Sequence, residues 1–441
     1  MNGFINEKIL PPMLKFLNTR PMASLKNGMI YPLPFVIIGS IFLILGQLPI
    51  PAAQEYLFSI GLGQLFLQIN NASFGIMALI AAFGIAYSWV KEEGYEGASA
   101  GLTAIIIHIL MQPDVIKNVV SIADPTQVSD AWQVSGIINR TWLGGQGMIL
   151  SIIVGLTVGW LYTAMLRKNI TIKMPEQVPS NVADSFTALI PSGFLIALFG
   201  VLHGIFTIGF NTTMVEWVYK MIQIPLQNMV DSPAAIFIMG FTGVFLWWFG
   251  VHGTSIVSGI FGPLLLANGE ENAALAKAGE LTIENGANIV TAAFLDQFMT
   301  VTGAGMTIGL VIFLLVGAKS AQAKSLGKMS AGPALFNINE PIVFGLPIVL
   351  NPILAIPFML TPLISGVLLY ILISVGILPP FNGAYVPWTT PPIISGFLVG
   401  GWKTALWQAI MLVVTVFIYW PFAKKYDNIL FEQEAEAKNE N

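Results

Sequence analysis

Apolar runs of membrane-crossing length recur along the chain. Met29–Leu48, Ser73–Val90, Gly97–Met111, Gly147–Leu166 and Ser185–Phe210 are predicted to be the first five spans, most of them near the roughly 20 apolar residues that cross a hydrocarbon core. Glu216–Val230 breaks the pattern. Its Trp217, Met221, Ile224 and Leu226 are interrupted by Lys220, Gln223, Gln227 and Asn228, as in an amphipathic segment lying in the interface. Pro233–Gly250 and Thr254–Ala267 are apolar again, Asn268–Asn285 is polar and acidic, and Gly303–Ala318, Ile353–Val375 and Phe397–Trp420 complete the apolar series. The tail Glu432–Asn441 has no apolar periodicity and is expected to be disordered.

Basic residues orient these runs. They gather before the first span (Lys8, Lys15, Arg20, Lys26), at Arg167, Lys168 and Lys173, at Lys319, Lys324 and Lys328, and at Lys424 and Lys425. The positive-inside rule places these segments in the cytoplasm and requires an even number of crossings between them. The count that satisfies it is about ten, with Thr254–Ala267 either a short span or half of a hairpin and both termini inside. The amino terminus has no small-residue cleavage pattern and reads as an uncleaved cytoplasmic tail.

Composition agrees with a multi-pass membrane protein. The chain of 441 residues is 55% hydrophobic and 10% charged, with a mean hydropathy of +0.76, where a soluble domain carries roughly 25% charge. The net charge of −4 and the lack of a basic face leave nothing for nucleic acid to bind. Cysteine is absent, which excludes disulfides, zinc thiolates, iron–sulfur clusters and thiol nucleophiles. There is no phosphate-cradling Gly-x-x-x-x-Gly-Lys motif, so the chain cannot drive transport with ATP by itself; the run Gly303 to Gly309 opens an apolar segment and is no nucleotide loop. His108, His203 and His252 have neither i, i+4 spacing nor a companion carboxylate, so no metal and no cofactor is expected. His108 and His203 sit within apolar runs and read as structural.

Polarity divides the chain. Residues 1–215 hold few charges at membrane depth and several small-residue pairs, Gly97 with Gly101 among them, that suit close helix packing. Residues 216–232 form the amphipathic connector, 233–425 carry nearly all the polar interruptions, and 426–441 are the expected disordered tail. An oligomerisation half followed by a transport half is the organisation this suggests.

Three clusters could carry chemistry. Phe336-Asn337-Ile338-Asn339-Glu340-Pro341-Ile342-Val343-Phe344-Gly345-Leu346-Pro347 puts a carboxylate at membrane depth, at a cost of about 2.5–3.5 kcal/mol on permissive scales. No lysine or arginine lies between Lys328 and Lys403 to neutralise Glu340 locally, so a ligand-facing role is favoured over an internal ion pair. Asn337 and Asn339 either face that ligand or cap a broken helix. Pro341 and Pro347 argue for a re-entrant or broken helix lining a cavity.

In the second cluster, Trp247-Trp248-Phe249-Gly250-Val251-His252-Gly253, an imidazole sits between glycines after aromatic rings; taken alone it reads slightly better as an interfacial aromatic belt, and Glu340 in the same half shifts the balance toward a site. The third, Pro379 to Pro392, is either an ordinary loop or a platform on which Tyr385 and Trp388 stack against a sugar ring. Amides, one imidazole, one carboxylate and aromatics without a cationic cluster suit an uncharged polyhydroxylated ligand. A sugar permease follows, with a proton-coupled secondary transporter, its proton carried by Glu340 and His252, as the alternative.

These three clusters resemble the membrane-embedded C component of the bacterial phosphoenolpyruvate-dependent sugar phosphotransferase system, in its lactose/cellobiose/diacetylchitobiose family. The resemblance runs over nearly the whole chain. It implies an all-α homodimer in the plasma membrane with about ten spans and two re-entrant hairpins per chain, the first half forming the dimer interface and the second occluding a disaccharide. It also implies that the phosphoryl donor is a phosphocysteine on a separate cytoplasmic B component, itself charged by an A component. Glu340 and His252 would bond the hydroxyl to be phosphorylated, with Asn339, Asn337, Trp388, Trp248 and Tyr385 around the sugar.

Overall fold

A computed structural model describes residues 15, 19–47, 51–117, 133–175, 177–346 and 348–439. Lys8 in the amino-terminal tail and Pro347 in the motif lie outside them. The chain forms two compact units, one from Met1–Gly39 with Asn71–Leu226 and the other from Ser40–Asn70 with Gln227–Asn441. The polarity pattern alone puts one cut near residue 215, whereas here Ser40–Asn70 groups with the carboxy-terminal residues.

Among the described residues the regular structure is helical apart from one short antiparallel pair, Val115–Lys117 with Gln133–Ser135, in register Val115 to Ser135. Six helices among the described residues are long and apolar enough to cross a bilayer: Arg20–Gly46, Leu62–Glu92, Gly145–Arg167, Val182–Gly209, Pro352–Ser374 and Trp402–Glu436. Met214–Val230 and Pro233–Trp248, bent by 69° at their junction, make a seventh if counted as one. The other apolar runs fall short for local reasons. Ala98–Leu110 has 13 residues, Ile308–Val316 has 9, and Gly253–Ala278 carries Asn268, Glu270, Glu271 and Asn272 in its second half.

In the first unit, the Met77–Glu92 and Met148–Arg167 helices pack along a seam of fully buried side chains such as Ala82, Ile85, Val154 and Val158. Gly97 and Gly101 do serve close packing, but within this chain: a Cβ at Gly101 would stand 2.5 Å from Phe83 Cδ2, and one at Gly97 would stand 2.6 Å from the Tyr87 carbonyl. His108 is fully buried with Nε2 2.9 Å from the Trp142 carbonyl, as a structural histidine should be.

In the second unit, caps set where helices start. The Ser232 hydroxyl accepts from the Ala235 amide ahead of Pro233, and Asn351 Oδ1 accepts from the Ile353 and Leu354 amides ahead of Pro352; each pairs a side-chain acceptor with a proline whose missing N–H costs nothing in the first turn. Asn268 and Asn272 are tolerated inside the Gly253–Ala278 helix because their amides are spent. Asn268 Nδ2 donates to Val290 O and its Oδ1 accepts from Gln227, while Asn272 Nδ2 donates to Asn288 O and Phe381 O.

The expected disordered tail is a correction. The last helix runs Trp402–Asn439, and its acidic end docks on the turn before the Ala321–Leu335 helix. Asp427 accepts from the Lys319 and Ser320 amides, and Glu434 from the Ala321 and Gln322 amides and the Ser320 hydroxyl. Four backbone donors at a helix start need acceptors, and carboxylates suit that positive end. Composition alone shows the acidic residues and not the helix end they meet.

Candidate functional site

Breaks in the helices of the second unit bring the three sequence clusters together. The Ala321–Leu335 helix ends, the chain turns through Asn337 with φ of 61°, and the short Glu340–Gly345 helix begins with Pro341 in its first turn. Asn337, 4% exposed, ties this turn to two other segments. Its Oδ1 accepts from the Thr302 amide at 2.6 Å, and its Nδ2 donates to the Trp388 carbonyl and, at 2.9 Å, to the Thr390 carbonyl. Asn339, equally buried, donates to the Ala304 carbonyl at 2.6 Å and to Thr307 Oγ1 at 3.2 Å. The two amides are therefore committed to holding backbone, and each joins segments more than 30 residues apart in sequence.

The loop they grip is strained. Thr302 and Met306 have φ of 63° and 52°, a region that costs a β-branched residue of order 1–3 kcal/mol, so Thr302 is held there by its surroundings. Gly303 is required: its φ is 91°, and a Cβ would lie 2.3 Å from Asn339 Cγ. The buried Tyr419 hydroxyl donates to the Gly305 carbonyl at 2.7 Å and fixes the far side of the same loop.

His252 caps the Gly253–Ala278 helix. Its Nδ1 accepts from the Ser255 amide at 3.3 Å, with the Ser255 and Thr254 hydroxyls at 2.8 and 3.2 Å. A backbone N–H can only donate, so Nδ1 is unprotonated and Nε2 carries the hydrogen of the neutral ring. His252 thus presents an N–H donor on its exposed side, and Glu340, partly exposed, presents an acceptor. Among the described residues no hydrogen bond or ion pair occupies the Glu340 carboxylate.

Trp247 is the tryptophan against the imidazole. Its ring centroid is 4.4 Å from that of His252, its Nε1 donates to Thr254 Oγ1, and it also meets Phe344 of the Glu340 helix at 6.1 Å. Trp248 turns away and donates to the Asn351 carbonyl at 3.1 Å. Neighbours on a helix point about 100° apart, so one of the pair faces His252 and the other does not. Of the third cluster, Trp388 is half exposed, and Tyr385 is partly buried with its amide on Ser40 Oγ.

The sequence reading passed over Asp296. It lies on a π-helical turn, Phe294–Met299, outside the long apolar helices, and faces a recess of about 340 Å3 including its mouth. Thr254, Ser258 and Thr300 share that recess with apolar walls from Met239, Val244 and Val257. No hydrogen bond or ion pair reaches its carboxylate among the described residues, and burial alone pushes it up to about 7. The Tyr385 hydroxyl is raised as well, by burial first and then by the Asp296 charge. The next residue, Gln297, donates to the Val386 and Pro387 carbonyls and so fastens this turn to the strap bearing Tyr385 and Trp388. The signal was available: no cation lies between Lys277 and Lys319, the same criterion that singled out Glu340.

Among the described residues no group of three or more His, Cys, Asp or Glu could hold a metal. What remains among the described residues is a cation-free set of groups: two carboxylates without a hydrogen-bond or ion-pair partner, one imidazole N–H, hydroxyls and aromatic faces.

Comparison with known proteins bears on this site. Residues 26–362 match the family described as Phosphotransferase system, EIIC. The lichenan permease IIC component of Bacillus subtilis (strain 168) is 34% identical over 447 residues, covering 99% of this chain and 96% of the relative. The cellobiose-specific EIIC component of Geobacillus stearothermophilus is 33% identical, covering 96% and 93%. Among solved structures, that of the transporter ChbC, the IIC component from the N,N'-diacetylchitobiose-specific phosphotransferase system, superposes with a TM-score of 0.90 at 32% identity, covering 98% of this chain and 99% of ChbC.

Proposed function

The chain belongs to the EIIC family of the phosphotransferase system, and from that membership we propose that it carries a β-linked disaccharide, of the cellobiose or N,N'-diacetylchitobiose kind, across the plasma membrane for phosphorylation on arrival. The observation that carries this reading is the unoccupied Glu340 carboxylate beside segments pinned by Asn337 and Asn339. A charge that costs several kcal/mol at this depth is retained where a ligand's hydroxyl completes it.

The chemistry follows from the donors and acceptors. One sugar hydroxyl donates its hydrogen to Glu340 and accepts from His252 Nε2–H. As that oxygen forms its bond to phosphorus, Glu340 takes the proton as general base, the S–P bond of the donor breaks, and the thiolate departs with the electron pair. The thiol belongs to a phosphocysteine of a cytoplasmic B component, recharged by an A component; this chain has no cysteine of its own. Asn337 and Asn339 hold the loops that shape the cavity, Trp388 and Tyr385 offer faces for stacking, and Trp248 supports the wall through Asn351.

Around this site we place about ten crossings, two of the broken segments re-entrant, both termini cytoplasmic, and a homodimer formed through the first unit. Purified protein in vesicles tests the reading. Supplied with phosphoenolpyruvate and the A and B components, it should accumulate sugar phosphate. Uptake of unmodified sugar that collapses with an uncoupler would instead establish the proton-coupled alternative.

A further inference from the structure

The reacting hydroxyl engages Glu340 and His252, which leaves the Asp296 recess unexplained. We propose that Asp296 is a second recognition carboxylate, accepting hydroxyls of the sugar ring that is not phosphorylated and so selecting a disaccharide over a single ring. The assignment rests on the sugar reading above.

Three observations carry it. The carboxylate has no cation and no donor among the described residues, an expensive state in an apolar wall unless a ligand relieves it. Its surroundings select the ligand class. The polar side chains that share the recess are Thr254, Ser258 and Thr300, with no cation among them, so an anion would be repelled and a metal would find a single carboxylate. A neutral polyol fits, because a carboxylate accepts from two neighbouring hydroxyls at once.

Position is the third observation. Thr254 lines the recess and also bonds the His252 ring, Gln297 straps the turn to the segment bearing Tyr385 and Trp388, and the chain leaves the turn into Thr302 and Gly303, where Asn337 and Asn339 grip it. Asp296 therefore stands between the arm that carries His252 and the arm that carries the stacking faces. A second ring extending from the first would meet it.

The test is calorimetric titration of detergent-purified protein with cellobiose, with N,N'-diacetylchitobiose, and with cellobioses singly deoxygenated on the ring that is not phosphorylated. Asp296→Asn is expected to bind the disaccharides about tenfold or more weaker, the loss of one charge-assisted hydrogen bond. At least one deoxygenated analogue should lose about as much on the wild type and nothing further on Asp296→Asn. Wild-type affinity in the variant, or an equal loss for every analogue on both proteins, overturns the assignment. Should Asp296→Asn fail to fold, the wild-type series decides alone: a loss for one analogue supports it and no loss for any overturns it. A wild type that binds neither disaccharide overturns the sugar reading and this assignment with it.

Discussion

At the residue scale, a polar group in an apolar setting is informative in proportion to what neutralises it. Glu340 has no hydrogen-bond or ion-pair partner among the described residues, so Glu340→Gln should keep the fold while sugar phosphorylation falls by about 10²–10⁴, the usual worth of a general base. Melting temperature and turnover of the purified variant check this; unaltered turnover would remove Glu340 from the chemistry. Asn339 is occupied, and its loss reads differently. Asn339→Ala strands the Ala304 carbonyl and empties a buried site, at a cost of about 1–3 kcal/mol, so thermal unfolding should move together with sugar affinity. A variant with wild-type stability and weakened binding would show that Asn339 contacts sugar directly.

The two asparagines also mark what sequence reveals and what it hides. Amides beside a carboxylate in an apolar run singled them out in the sequence; that they grip the 302–307 and 388–390 backbone was not legible there, because the partners are over 30 residues away. Trp247 and Trp248 were indistinguishable by composition, and only the helix phase separates them.

At the element scale, function is concentrated where helices stop. Pro341, the left-handed Asn337 and the Thr302 to Met306 loop interrupt apolar segments that would otherwise have been longer. Gly303→Ala should be among the most damaging single changes, since a methyl group would collide with Asn339 at a φ that alanine resists. Loss of sugar binding with a lowered melting temperature is expected, and a fully active Gly303→Ala would mean that the loop relaxes more easily than its contacts imply.

Helix ends also explain the misjudged tail. Glu432–Asn441 has no apolar periodicity because its part in the fold is electrostatic: Glu434 meets the start of the Ala321–Leu335 helix. Glu434→Ala should cost about 1 kcal/mol and raise amide exchange at residues 321–323. Unchanged exchange there would show that Asp427 suffices. The long apolar spans were legible because hydrophobic length is a local property. The short helices were not, since tertiary hydrogen bonds decide where they break.

At the scale of the whole molecule, the two units divide labour in the proposed account, with the sugar site built entirely from the second. Single cysteines in this cysteine-free chain make that division measurable. Placed at Leu102 or Ile106, both exposed on the first unit, they should cross-link two chains in membranes, and at Trp388 they should not. Efficient linkage at Trp388 would put the site at the dimer interface. The central claim, that this chain delivers sugar to a phosphoryl donor on another polypeptide, is tested most directly by the chemical identity of what accumulates in vesicles loaded with the B component, the A component and phosphoenolpyruvate. The account predicts disaccharide phosphate, formed only when all three are present and lost in Glu340→Gln; free disaccharide accumulating without them would contradict it.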